Sequence, residues 1–475
     1  MVIIGAGMGG LSAAIYARLA GYDVLVLEKS TKAGGKAAGI TIGEYQLDPG
    51  PSIIILPKIY EAVFAAAGRR MSDYLTFQPL DVISRVFFGD NAPLDLPSNA
   101  EGCYQILRDI NPSDAAALKT LIQKLEKIEP LLDKTIYDHP YIRPSQLLDV
   151  NLLKFGMGFS PFKTYKELVD SLFTSPMVKA FFYGFPSYGG QTYTAKSPGA
   201  FLIPYYMLTE GVYFPKGGVR QIPIAFQRLA EELGVEFRFG VEVTKFEGDD
   251  RKLRALTTST GERISADAFI SNLDRFTFAG MRQQEVIAEP SFSYFTVHRG
   301  IKREFSQLQH HNLVLPASFE RGFEELYSEG KFPTEPIVYV NSTGGLDPEA
   351  APNGSSNIFS VVTSPAKVDG INWPKSQHEY MQRVDRELEK VGIQWTDSEV
   401  EFERIQTPEY FESEHGSYRG SLYGLHESER LWGMFPASNK DDQWDNVAYC
   451  GGSVQPGAGL PMVTLSGKFA VDVLR

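Results

Sequence analysis

The first 28 residues of the chain contain a strand, a glycine-rich turn, a helix and a second strand in immediate succession. The β-branched run from Val2 to Ile4 predicts a buried strand, and GAGMGG follows with the G-x-G-x-x-G spacing. LSAAIYARLAG predicts a helix that ends at Gly21, and DVLVLEK predicts a strand that ends at Glu28. Together these elements predict a βαβ unit of a Rossmann-like fold that binds a dinucleotide.

The glycines of this unit have separate predicted roles. Gly5 permits the tight turn, Gly7 lets the backbone approach a pyrophosphate, and Gly10 lets the helix pack closely on the strand. Glu28 stands where a carboxylate accepts hydrogen bonds from ribose hydroxyls. A βαβ unit with a purely structural role is the alternative. The cofactor contacts predicted here are Gly5, Ala6, Gly7, Met8, Gly9, Gly10, Glu28 and Lys29.

A second glycine pair follows the acid at once. STKAGGKAAGI places Gly34 and Gly35 beside Lys36, and QLDPGPS then gives Gly50 and Pro51. This arrangement resembles the two-dinucleotide-binding-domain flavoproteins, in which a glycine pair and a basic residue contact the phosphates and flavin of FAD. Members of that group often carry arginine where this chain has Lys36. A flexible loop is the alternative for AGGKAAG alone, but after the first motif the pair favours FAD over NAD.

Composition and charge exclude several classes of protein. A length of 475 residues predicts two or more packed domains, and a net charge of −12 argues against a nucleic-acid partner. Cys103 and Cys450 are too few and too far apart for a disulfide framework or a metal site, so we expect a reducing compartment and no metal. No basic segment precedes the first apolar run, so no signal peptide is predicted and we expect a cytoplasmic protein.

The segment KFGMGFSPFKTYKEL mixes aromatic and basic residues. It interleaves Phe155, Phe159, Phe162 and Tyr165 with Lys154, Lys163 and Lys166. This mixture predicts a helix that lies among lipid headgroups, so we expect peripheral attachment to a membrane surface. A helix face packed on its own domain is the alternative.

The order of elements predicts an α/β protein with a discontinuous Rossmann-like FAD-binding domain and an α+β substrate domain. The FAD-binding domain is predicted to comprise residues 1–82, 210–275 and 430–475. Residues 83–209 and 276–429 hold most of the aromatic residues. These two insertions are the predicted substrate-binding and membrane-associating region.

Five further segments follow one another in a recognisable order: EAVFAAAGRRMSDYLTFQPLD, SPGAFLIPYYMLTEGVYFPKGGVRQIP, QLQHHNLVLP, DPEAAPNGSSNIFSVV and NVAYCGGSVQPGAGLPMVTLSGKFA. Their order resembles the bacterial-type carotenoid (phytoene) desaturase family, within the FAD-dependent amine oxidase-like flavoproteins, nearly from end to end. The resemblance implies flavin contacts from Gly452, Leu460, Pro461, Met462 and Val463. It also implies that the backbone of Val243 holds adenine.

The last of these segments can also be interpreted from its residues without the resemblance. NVAYC predicts a strand, the glycine pair after it predicts a turn, and LPMVTLSGKFAVDVL predicts a helix with Pro461 in its first turn. Free N–H groups at the start of a helix carry positive partial charge. Aimed at a flavin, they would stabilise the anion that forms when the flavin accepts hydride. A glycine-rich turn without a ligand is the alternative for PGAGLP.

The resemblance implies FAD-dependent desaturation of a carotenoid polyene, with hydride passing to flavin N5 and a quinone or oxygen as the electron acceptor. A carotenoid isomerase, oxidase or ketolase on the same scaffold is the enzymatic alternative, and a lipid-binding escort without flavin is the non-enzymatic one. No catalytic base is identified. His310 and His311 are expected to satisfy backbone groups at a strand end, His298 to be structural, and Asp149 matches the family too poorly to carry a role over.

Overall fold

The structure is a computed structural model that describes residues 1–141, 144–158, 163–366, 371–430 and 435–475, apart from the side chains of residues 144, 147 and 155. The α-helices of these residues are α1 Met8–Leu19, α2 Pro57–Ala66, α3 Ala100–Ile110, α4 Pro112–Ile128, α5 Val150–Gly158, α6 Tyr165–Leu172, α7 Pro176–Tyr183, α8 Leu202–Thr209, α9 Gln221–Glu232, α10 Arg275–Met281, α11 Phe319–Phe323, α12 Trp373–Lys390, α13 Pro408–His415 and α14 Leu460–Leu474. The strands are β1 Val2–Ile4, β2 Leu25–Glu28, β3 Ile40–Ile42, β4 Tyr45–Leu47, β5 Phe77–Pro79, β6 Val82–Phe88, β7 Leu94–Pro97, β8 Tyr213–Pro215, β9 Glu236–Phe239, β10 Val243–Gly248, β11 Leu253–Thr258, β12 Arg263–Ser265, β13 Phe269–Ser271, β14 Ser293–Ile301, β15 His311–Leu315, β16 Val338–Ser342, β17 Ser356–Ser364, β18 Val400–Gln406 and β19 Val447–Tyr449.

A five-stranded parallel sheet forms the centre of the nucleotide-binding part, in the order β19-β13-β1-β2-β9. Its central strand β1 is buried throughout. Ile3 packs with α1, α9 and α14 in one apolar cluster, and Val2 and Ile4 belong to a second cluster. The strands come from the start, the middle and the end of the chain. The predicted α/β fold with a discontinuous Rossmann-like domain is confirmed, whereas the domain boundaries stay predictions.

A seven-stranded mixed sheet forms the second layer, in the order β18-β14-β17-β16-β15-β6-β7. Only the pairing of β6 with β15 is parallel among its strand pairs. Because side chains alternate along a strand, one face of this sheet packs on α12 through Trp373, Tyr380 and Leu388. The other face is free to line a cavity.

The helices α3, α4, α6, α7 and α8 contribute to the largest apolar cluster of the described residues. None of the described helices combines the length and the apolar composition that crossing a membrane requires.

The prediction of one helix over residues 154–168 that lies among lipid headgroups is wrong. The segment contains the end of α5 and the start of α6, with Lys163 and Thr164 outside both helices. Tyr165 is fully buried, since its ring is part of the apolar cluster formed by the helices. It packs on Phe201 with ring centroids 4.5 Å apart. Phe159, Phe162 and the side chain of Phe155 lie outside the described residues.

Candidate active site

One large cavity lies between the parallel sheet, the mixed sheet and the helical cluster. Its volume is about 1750 Å³, well above the roughly 300–1,000 Å³ of ordinary ligand pockets. Every predicted cofactor residue lines it except Ala6 and Gly10. The residues that do so are Gly5, Gly7, Met8, Gly9, Glu28, Lys29, Gly34, Gly35, Lys36, Gly50, Pro51, Val243, Gly452, Leu460, Pro461, Met462 and Val463. The fold therefore gathers residues from five separate parts of the chain around one space.

Glu28 is held in place by the backbone of the turn beside it. Its Oε2 accepts a hydrogen bond from the Ala6 N–H at 2.7 Å, and its Oε1 accepts one from the Ser30 N–H at 2.8 Å. A carboxylate oxygen has more than one lone pair, so both oxygens can still accept from ribose hydroxyls. Ala6 thus contributes its amide to the site without lining the cavity.

Gly10 acts behind the turn rather than in the cavity. A Cβ at this position would lie 2.1 Å from the carbonyl oxygen of Gly5 and 3.3 Å from Cβ of Asn272. Only glycine allows α1 to start this close to β1. The predicted packing role of Gly10 agrees with this geometry.

Lys36 is a half-buried cation at the cavity wall that forms no ion pair or hydrogen bond among the described residues. Burial lowers the pKa of its ammonium group, and the nearby Asp274 carboxylate opposes this only in part. An anionic ligand in the cavity would supply the missing counter-charge. Lys36 therefore fits a phosphate or the anionic edge of a flavin.

The start of α14 faces the same cavity. Gly459 precedes the helix, Pro461 lies in its first turn, and residues 460–463 line the cavity. The Gly451 N–H donates to Oγ of Ser466 at 2.7 Å, which fixes the preceding loop against the helix. Free N–H groups and the positive end of the helix dipole suit a negatively charged group. The acceptor Glu28, the cation Lys36 and the start of α14 thus fit FAD.

One face of the mixed sheet forms the opposite wall. The residues Leu313, Tyr339, Val361 and Thr296 are directly opposed on four adjacent strands, and all four line the cavity. Thr296 donates from Oγ1 to Oε1 of Gln406 at 2.9 Å, so its polar group is satisfied. This wall is largely apolar with a few placed hydroxyl groups.

The two neighbouring histidines have different environments. His310 is not among the residues that line the cavity, and its Nδ1 lies 3.0 Å from the Ser342 carbonyl oxygen, as expected for a residue that satisfies the backbone. For His311 that expectation is wrong, because its Nδ1 lies 2.6 Å from Oη of Tyr339, which is 2.8 Å from Oγ of Ser52. Burial, with His310 nearby, lowers the pKa of His311 well below its usual value, so the ring is neutral.

His298 and Asp149 have structural surroundings. His298 stacks on Phe359 with ring centroids 4.0 Å apart, and burial lowers its pKa to about 3. Asp149 accepts hydrogen bonds from the N–H groups of Asn151 and Leu152 at the start of α5. Sequence reasoning missed Ser52 and Tyr339, although Ser52 directly follows the predicted contact Pro51.

Comparison with known proteins decides the family. The model of the flavin containing amine oxidoreductases matches residues 8–475. The chain belongs to this family. It is therefore a FAD-dependent oxidoreductase, and the predicted cofactor is confirmed.

Individual relatives extend this result. The chain is 28% identical over 486 residues to the 4,4'-diaponeurosporene oxygenase of Staphylococcus haemolyticus, covering 100% of this chain and 97% of the relative. An oxidoreductase from Methanosarcina mazei aligns with a TM-score of 0.66 at 15% identity, covering 99% of both chains. A Rab GDI from Plasmodium falciparum aligns with a TM-score of 0.54 at 13% identity over 85% of this chain and 87% of its own. These structural likenesses show the shared fold alone.

Proposed function

We propose that this flavoenzyme oxidises a carotenoid polyene by removing a hydride from a carbon next to the conjugated chain. The observation that carries the proposal is the cavity of about 1750 Å³, which joins the cofactor residues to apolar walls. It has room for a long apolar molecule beside the cofactor. The carotenoid class is taken from the full-length relatives, which are named as diaponeurosporene oxygenases.

Bound FAD supplies a two-electron acceptor for hydride. The chain's own residues hold it through the glycine turn, Glu28, Lys36 and the start of α14, and they align the polyene beside it. A cation left on the polyene is delocalised, so the proton on the neighbouring carbon is acidic. A strong protein base is therefore unnecessary, and none is assigned.

Two products follow from the same first step. If a water molecule adds to the cation at a chain end and loses a proton, an alcohol forms. Loss of a second hydride from the alcohol carbon, together with the hydroxyl proton, then gives an aldehyde. If a proton leaves the neighbouring carbon instead, a new double bond forms. The names of the relatives favour oxygenation, and desaturation is the second candidate because the order of motifs resembles the desaturases. In both cases oxygen or a quinone takes up the two electrons of each hydride.

The test is anaerobic mixing of purified holoenzyme with detergent-dispersed polyenes. We expect one equivalent of flavin per active site to be reduced as product forms, which is seen as a loss of flavin absorbance. Oxygen added to the product, visible by mass, indicates oxygenation, whereas a loss of two hydrogens with absorbance at longer wavelength indicates desaturation. A product of unchanged mass with no net flavin reduction would identify an isomerase and refute the proposal.

We also propose that the enzyme takes its substrate from a membrane surface that contacts helix α5. Val150, Leu153 and Met157 lie on one face of α5 and are 59%, 46% and 82% exposed, and Leu148 just before them is 73% exposed. Leu153 and Met157 also line the cavity, so it reaches the surface at this apolar patch. A bilayer would cover the patch and deliver an apolar substrate directly.

Replacement of Val150, Leu153 and Met157 by serine should release the protein from liposomes. Fully burying one such side chain contributes about 1.5–3 kcal/mol, so we expect the floating fraction to fall roughly tenfold or more in a flotation assay. The control is Ile287→Ser, since Ile287 is 85% exposed and lies outside both the patch and the cavity. Equal flotation of all three proteins at equal FAD content would contradict membrane docking at α5.

A further inference from the structure

Four tyrosine side chains gather at one part of the cavity wall. Tyr188, Tyr294, Tyr327 and Tyr423 all line the cavity, and they come from four separate segments of the chain. We call them the tyrosine cluster. The rings of Tyr294, Tyr327 and Tyr423 surround Phe292, with centroids 5.6 to 6.0 Å from its ring. The cluster therefore has a packed apolar base and several hydroxyl groups.

The hydroxyl groups of the cluster are incompletely hydrogen-bonded. Tyr423 donates to Oη of Tyr294 at 3.1 Å, and Tyr294 has a long contact of 3.5 Å with the Ser187 carbonyl oxygen. Among the described residues, the hydroxyls of Tyr188 and Tyr327 have no hydrogen-bond partner. Both residues line the cavity, so a ligand that carries an oxygen can supply the missing partner of each hydroxyl.

The environment of these hydroxyls is the cavity and not bulk water. Tyr188 is 37% exposed and lines the cavity, and burial raises its pKa. Burial likewise raises the pKa of the other three tyrosines. The hydroxyls therefore stay protonated and can donate. At a site of low dielectric constant, a hydrogen bond from a hydroxyl donor to an oxygen atom of the ligand contributes more binding free energy than the same bond in water.

Resting on the proposed function, we infer that the tyrosine cluster binds an oxygen-bearing end of the polyene, an alcohol or an aldehyde. Tyr188 and Tyr327 supply the free donors, and the pair Tyr294–Tyr423 keeps the neighbouring hydroxyls in place. A hydrocarbon end leaves these donors unpaired, whereas an oxygenated end satisfies them. The preferred ligand is thus a carotenoid that already carries oxygen at one end.

The test compares two ligands of the holoenzyme, an acyclic polyene hydrocarbon and the same polyene with a terminal primary alcohol. Each is titrated in detergent, and binding is followed by quenching of protein fluorescence. We expect the double variant Tyr188→Phe/Tyr327→Phe to bind the alcohol about tenfold more weakly, which corresponds to one or two neutral hydrogen bonds. Its affinity for the hydrocarbon should change by less than about twofold.

Tyr60→Phe is the matched control, because its hydroxyl is buried without a partner and lies outside the cavity. It should leave both affinities unchanged. Equal affinity of the double variant and the wild type for the alcohol would overturn the inference and leave the proposed function standing. Binding of neither polyene to the wild type would overturn both.

Discussion

Replacement of Gly10 by valine should leave a folded protein that binds FAD much more weakly. The new Cβ would lie 2.1 Å from the carbonyl oxygen of Gly5, a contact that no backbone tolerates. The turn from Gly5 to Gly7 must move, and with it the Ala6 N–H that holds Glu28 at 2.7 Å. Overpacking of this kind costs about 1–3 kcal/mol. We expect affinity for FAD to fall roughly 10- to 100-fold or more, measured by titration of the apoprotein.

Gly280→Ala is the control for this variant. Gly280 lies in α10, and a Cβ there meets no atom within 4 Å. FAD binding should stay as in the wild type. Normal FAD affinity in Gly10→Val would show that the turn does not hold the cofactor as assigned.

Replacement of Arg220 by methionine should strongly lower the free energy of unfolding. Arg220 lies between two carboxylates that are nearly buried, Asp48 at 3.5 Å and Asp347 at 3.2 Å, whose side chains are 11% and 7% exposed. Asp48 also accepts from the N–H groups of Val219 and Arg220. Without the cation, two desolvated carboxylates face each other, and loss of one partner of a buried ion pair costs about 3–5 kcal/mol.

The measurement is denaturant unfolding of the holoprotein, compared with Arg251→Met. Arg251 pairs with Asp445 at 2.6 Å, but the two side chains are 80% and 45% exposed. Such a surface pair contributes at most about 1 kcal/mol. If both variants unfold at the same denaturant concentration, the ion pairs of Arg220 with Asp48 and Asp347 do not stabilise the fold as expected.

The cofactor half of the site could be predicted from the sequence because its signals are local. Residues 2 to 28 encode strand, turn, helix, strand and acid without help from distant residues, and the structure places β1, α1 and β2 there. The glycines in the turn are required by backbone geometry, which does not depend on the rest of the fold. The start of α14 at Leu460 follows in the same way from a strand, a glycine turn and an early proline.

The substrate half could not be predicted, because it depends on contacts between distant segments. Aromatic residues at 165, 188, 294, 327 and 423 look alike in sequence, yet Tyr165 packs into the helical core while the other four line the cavity. Strand register decides which side of the mixed sheet Tyr339 and Thr296 face. Composition alone also does not show whether the apolar face of a helix is covered by its own domain or stays exposed. The face of α5 that carries Leu153 and Met157 is exposed. Sequence by itself determined the nucleotide fold and the class of cofactor, since both rest on local geometry. Only the tertiary structure decided the cavity and its hydroxyl groups, since packing brings their residues together.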